Sequence, residues 1–217
     1  MYNSSIGMNI YFVVDVSGSM HGVKIEQVNA LATDILPLIQ DLSEDYSLDT
    51  FLRVLSFGEG FSWHIGSLQG GKNISSFNWK PLTATARKTE TAKAVYEVIN
   101  SLKQPKKRSG HGNVIFLITD GKCTEKESDY FDACQKLSDL MTENDLRLSI
   151  ALEGSDRHEL ETFTKNANNI FTLNDIDAMR LCLKSCFEYY GSISVVNASA
   201  PADTEPDTTD DSEDIWI

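Results

Sequence analysis

No stretch near the N-terminus of this 217-residue chain is long enough or apolar enough to span a bilayer, which takes about 20 residues; the first apolar run is only Ile10–Val14. No basic segment precedes it, so neither a secretory signal nor an anchor is expected, and the chain reads as cytoplasmic. Positive charge is also scarce. Nineteen Lys and Arg stand against 32 Asp and Glu, for a net charge of −13. That surplus repels phosphate backbones and anionic headgroups, which argues against nucleic acid and membrane surfaces as partners. Cysteine is sparse, with Cys123, Cys134, Cys182 and Cys186 only. A chain of this size does not depend on disulfides, and Cys182 and Cys186, one helical turn apart, read as buried reduced thiols rather than a metal or redox pair. Without secretion the sequons at Asn3, Asn73 and Asn197 carry no meaning. The four histidines, His21, His64, His111 and His158, lack zinc-ligand spacing. No glycine-rich phosphate loop follows the first apolar run, which removes the commonest nucleotide cradle.

What is present is an ordinary globular balance, 41% hydrophobic and 24% charged, sized for one domain. The acidity is uneven: residues 203–217 hold seven acids and no base, which leaves six of the thirteen excess negative charges in residues 1–202. We therefore expect a folded domain over 1–196 and an acidic, disordered tail over 197–217. Within the domain two periodicities alternate. Asn9–Val14, Thr50–Phe57, Asn113–Thr119, Leu146–Ala151 and Ile170–Leu173 read as strands, with Ser62–Ile65 as an antiparallel partner reached through the Gly58–Gly60 turn. Lys24–Leu42, Thr91–Leu102, Asp129–Met141, Arg157–Asn166 and Asp177–Tyr190 carry helical spacing. The alternation predicts an α/β fold, a doubly wound and mostly parallel sheet with one antiparallel edge strand and helices on both faces.

Ligand sites in such sheets lie beyond the carboxyl ends of the strands. Asp15 and Asp120 end the two most continuously apolar strands, so they converge if those strands are neighbours. Asp15-Val16-Ser17-Gly18-Ser19 adds oxygen donors at alternate positions of a loop that Gly18 lets fold back. Two carboxylates with hydroxyls form an all-oxygen set suited to a hard cation, Mg²⁺ first, with Mn²⁺ or Ca²⁺ as alternatives. Taken alone, the pentad could instead cap the following helix.

FVVDVSGSM followed about a hundred residues later by FLITDG resembles the metal-ion-dependent adhesion site (MIDAS) of von Willebrand factor A (VWA) domains. The likeness runs over roughly residues 8–190 and implies the Rossmann-like VWA fold. It also implies a Thr on a second loop: Thr89 stands where that Thr precedes a helix, with Thr85 and Thr91 as rival assignments, because Arg87-Lys88 replaces the Gly-Gly common in the family. On this resemblance Asp15, Ser17, Ser19, Thr89 and Asp120 hold the cation, and a protein partner supplies a carboxylate to complete the shell. The chain is most similar to the stand-alone bacterial TerY-like group of tellurium-resistance proteins, which implies a kinase or phosphatase partner in a stress-response complex.

Three other readings follow from the residues. An aspartyl-phosphate phosphotransferase would use Asp15 as nucleophile, with Lys122 to balance the phosphoryl group; it lacks the second carboxylate two positions on, where Ser17 stands. A metal-independent scaffold would leave the hydroxyls idle. The cluster Lys103, Lys106, Lys107, Arg108 and His111 lies on a loop entering a strand, at the end of the sheet away from the candidate site, and reads as solvated charge. The tail acids read first as a solubilising segment, with the alternative that a mobile carboxylate occupies the site on its own or a neighbouring chain.

Overall fold

A computed structural model of the chain describes residues 6–104, 111–120 and 123–199, excluding the side chains of 195–199. Its strands are β1 (Gly7–Asp15), β2 (Asp49–Gly58), β3 (Gly60–Ile65), β4 (Lys72–Asn73), β5 (Gly112–Thr119), β6 (Leu146–Ala151) and β7 (Ile170–Phe171). The helices are α1 (Val23–Asp45), α2 (Thr91–Leu102), α3 (Glu127–Leu140), α4 (Arg157–Thr164) and α5 (Ile176–Ser199). The strands form one sheet in the order β3-β2-β1-β5-β6-β7, parallel except that β3 and β4 both run antiparallel to β2. The expected mixed α/β sheet is therefore present. Its strand order reverses between β1 and β5, which are parallel neighbours with Val14 level with Ile118.

The pleat divides β1 between two cores. Met8, Ile10, Phe12 and Val14 pack with α1 and α5, and Tyr11 and Val13 pack with α2, α3 and α4. Side chains alternate across a strand, so a run without a polar residue is what burial on both faces demands. Phe12 meets Phe116 of β5 edge to face, with ring centroids 4.9 Å apart, the arrangement that aromatic quadrupoles favour. These rigid central strands end at the site.

Several boundaries differ from expectation. β3 begins at Gly60 rather than Ser62, and the two-residue β4 is too short to show any alternation. α4 stops at Thr164, because Lys165 takes the left-handed conformation at φ 56°. β7 covers only Ile170 and Phe171. The last helix does not end at Tyr190. It continues through Gly191 to Ser199, so the expected tail boundary at 197 falls inside a helix. Gly191 contributes by absence of bulk: a Cβ there would lie 3.1 Å from Tyr46, the residue that closes α1. The acids of 203–217 lie outside the described residues, as do Asn3, Lys106, Lys107, Arg108 and Lys122. Among the described residues no helix is long and apolar enough to cross a membrane.

Candidate metal centre

Three loops meet above the carboxyl ends of β1, β2 and β5. The first leaves β1 at Asp15, a residue with no solvent exposure. One of its oxygens accepts the Ser17 N–H at 2.7 Å, which turns the chain back, and the other accepts the Thr119 hydroxyl at 2.7 Å. The Ser17 and Ser19 hydroxyls are 3.0 Å apart, and Ser19 donates to Asp120 Oδ1 at 2.8 Å. Asp15, Ser17, Ser19 and Asp120 thus form one hydrogen-bonded patch across the β1–β5 junction. Asp120 is buried as well, and its second oxygen is held by the Lys24 ammonium from the first turn of α1.

The second loop, 82–90, is laid along the first by backbone pairing. The N–H groups of Thr85 and Ala86 both donate to Val16 C=O at 3.0 Å, and Ser17 bridges Ala86. Glu90 N–H donates to Gly58 C=O at 3.0 Å, beyond the end of β2. Gly58 is required by this approach, since a Cβ on it would lie 2.2 Å from Ala86 Cβ. The third loop locks onto the second. Thr124 N–H donates to Thr89 C=O at 2.9 Å, and Thr89 N–H donates to the Thr124 hydroxyl at 3.2 Å. Glu125 then accepts the N–H groups of Ala92 and Lys93 at 2.6 and 3.2 Å, capping α2 from a distance in sequence.

The three rival threonines differ in their settings. Thr85 is exposed, whereas Thr89 is buried and its backbone N–H and C=O are both bonded to Thr124. Thr91 is buried in the first turn of α2, and its hydroxyl has no hydrogen-bond partner among the described residues. His21 sits exposed on the rim of a cleft of about 580 Å³ that it shares with Val23, Lys24, Leu152, Glu153 and Leu173. The other histidines lie elsewhere. His64 bonds the Lys80 carbonyl, His111 stacks on Phe51, and His158 stands 4.0 Å from Glu127.

Burial pushes the Asp15 carboxyl above its ordinary value; the Ser17 N–H and the Ser17 and Thr119 hydroxyls work against that, and the like charge of Asp120 adds to it. Asp15 has no basic partner among the described residues, so a cation beside it would favour its charged form. Among the described residues no three His, Cys, Asp or Glu side chains cluster as a metal site. The donors that fit one are instead hydroxyls flanked by two carboxylates, a hard set with few charges.

A family model of the von Willebrand factor type A domain matches residues 9–185. The chain belongs to that family. Among solved structures, proximal thread matrix protein 1 from the mussel byssus superposes on this VWA domain with a TM-score of 0.61 and 15% identity, over 84% of this chain and 48% of that one. A second form of the byssus protein, described as having a zinc-occupied MIDAS motif, gives a TM-score of 0.59 at 15% identity, over 86% and 47%. The ArnB paralog VWA2 from Sulfolobus acidocaldarius gives 0.54 at 21% identity, over 83% and 45%. The chain thus spans about half the length of these structures, and at such identities the likeness is one of fold. No curated protein matches it in sequence.

Sequence reasoning missed two contributors to this VWA site, Lys24 and Glu125, neither of which stands in a local pattern. Thr119 belonged to the FLITDG motif, but its role as a donor to Asp15 was not read.

Proposed function

We propose that this VWA domain is a divalent-metal-dependent protein-binding module. The carrying observation is the half-buried patch in which Asp15, Ser17, Ser19 and Asp120 are joined across adjacent strand ends, the two carboxylates buried and Ser19 open to solvent. Ser17, Ser19 and Thr89 supply hydroxyl oxygens to the cation, and Asp15 and Asp120 supply charge. Mg²⁺ suits this set best, with Mn²⁺ or Ca²⁺ as substitutes; the zinc of the byssus relative shows that the motif also accepts a softer ion in that protein. The cation supplies an electrophilic position open to an external carboxylate. The chain's own part is to hold the hydroxyls in place, keep water away from Asp15 and leave the rim accessible.

A binding role fits these atoms better than phosphotransfer through Asp15. A nucleophilic carboxylate must expose an oxygen, whereas Asp15 is fully buried and both its oxygens accept hydrogen bonds. The TerY-like resemblance adds a cytoplasmic setting and puts kinases and phosphatases first among the partners to try. Capture from such a host lysate should occur with Mg²⁺ and vanish with chelator, while circular dichroism shows the fold retained; capture that ignores chelator contradicts the reading.

Two threonine variants check the ligand assignment. Thr89→Val is expected to weaken Mn²⁺ binding about tenfold, in the range seen when a metal-site group is removed. Thr91→Val should leave binding unchanged and raise the melting temperature, because it replaces an unpartnered buried hydroxyl with a methyl. The opposite pattern in the titration would reassign the ligand to Thr91.

A further inference from the structure

Among the described residues Lys24 is the base paired with a carboxylate of this site, and its placement is specific. Asp120 uses its two oxygens differently: Oδ1 accepts from Ser19 and so faces the hydroxyl patch, whereas Oδ2 faces away and takes the Lys24 ammonium. The Asp120 side chain is 1% exposed and that of Lys24 26%, so the pair is shielded enough for its charge to matter. Lys24 lies in the first turn of α1, where a cation is disfavoured by the helix dipole. That unfavourable position argues for a local role over helix stability. The other acidic side chain lining the cleft, Glu153, is exposed and screened.

We propose that Lys24 is a positioning residue that couples cation binding to carboxylate binding. The inference rests on the metal-dependent reading above. Lys24 fixes the carboxylate of Asp120 with Oδ1 toward Ser19, and it offsets one of the two negative charges. Asp15, Asp120 and Lys24 together carry one net negative charge, and a divalent cation reverses this to one net positive charge. An external carboxylate then brings the site to neutrality. Without Lys24 the two carboxylates neutralise the cation by themselves, and the demand for a third is lost. The ligand class this favours is a single carboxylate, an Asp or Glu side chain or a chain terminus, approaching over the rim that Lys24 shares with His21 and Val23. The exposed apolar Val23 (67%) gives that rim a contact for an aliphatic neighbour of the acid.

The test uses the full chain, Mn²⁺ followed by electron paramagnetic resonance, and acetate as the carboxylate probe. For the natural sequence acetate should tighten Mn²⁺ binding several-fold, and by linkage Mn²⁺ should tighten acetate binding equally. Lys24→Met is expected to bind Mn²⁺ alone about tenfold more tightly and to lose most of the acetate effect, whereas Lys24→Arg keeps both values close to the natural ones. Lys24→Met with unchanged or weaker Mn²⁺ affinity, or with the acetate effect intact, overturns the proposal and leaves the metal site standing. Absence of Mn²⁺ binding by the natural sequence overturns the metal-dependent reading and this inference with it. A Lys24→Met chain that fails to fold would show that Lys24 acts in stability; Lys24→Gln then carries the same comparison, and an Mn²⁺ affinity no tighter than natural rejects the coupling role.

Discussion

Asp15→Asn is expected to reverse its stability rank depending on the metal present. In chelator the variant should melt higher than the natural sequence, by a few degrees. Asp15 is buried without exposure, and burial raises its carboxyl pKa above the ordinary value. An acid whose pKa is raised on folding lowers stability at pH values above that raised pKa, because the charged form is harder to keep in the fold than in the unfolded chain. The amide carries no such charge. Its oxygen still accepts the Ser17 N–H, and its amino group can donate to the Thr119 hydroxyl oxygen, with donor and acceptor exchanged in that pair. A gain of about 0.5–2 kcal/mol is typical where a functional group held at a cost is removed, and each kcal/mol moves the melting point of a domain this size by about 2–4 °C. The difference should shrink as pH falls through the Asp15 pKa, since protonation then relieves the natural chain too.

Millimolar Mg²⁺ should invert the order. A ligand at a hundred times its dissociation constant stabilises the folded state by about 2.7 kcal/mol. The natural chain should gain that increment, and the variant, short of one ligand charge, should gain almost none. Differential scanning fluorimetry in both conditions is sufficient. An Asp15→Asn chain that melts lower in chelator would show that the carboxylate earns its place structurally.

Gly58→Ala carries the second large effect. The added methyl would sit 2.2 Å from Ala86 Cβ and 3.3 Å from Lys88 C=O, so the 82–90 loop must move. Overpacking of this kind costs about 1–3 kcal/mol. The displaced segment is the one tied to Val16 and Ser17 and leading to Thr89, so Mn²⁺ affinity should fall about tenfold with the stability. Adding Ala86→Gly removes the closer of the two contacts, and the double variant should recover most of both losses. Such non-additivity is the signature of two groups in direct contact. If affinity stays low while stability returns, the loop does not position the ligand.

How much of this could be read beforehand follows from range. β1 and β5 were legible because burial on both faces makes their centres, Ile10–Val14 and Val114–Ile118, continuously apolar, and the helices because a 3.6-residue period over several turns is hard to counterfeit. The convergence of Asp15 and Asp120 followed from the rule placing sites at strand ends, once a parallel sheet was assumed. The ends of α4 and α5 were not legible. Lys165 stops one helix through a backbone conformation that lysine rarely adopts, and Gly191 fails to stop the other because Tyr46 packs against it. The same limit applies in the site. Ser17 and Ser19 are neighbours in sequence and announce themselves, whereas Lys24 on Asp120, Thr124 on Thr89 and Glu125 on α2 join residues 32 to 96 positions apart. No local pattern carries contacts of that range.

The central claim is that the patch of two buried carboxylates and three hydroxyls is a cation site. Calorimetric titration of the full chain with Mn²⁺ tests it most directly, beside Asp15→Asn under the same conditions. One site per chain is expected in the natural sequence and none in the variant, both being folded. A silent titration of the natural chain, or the same isotherm from Asp15→Asn, would contradict it.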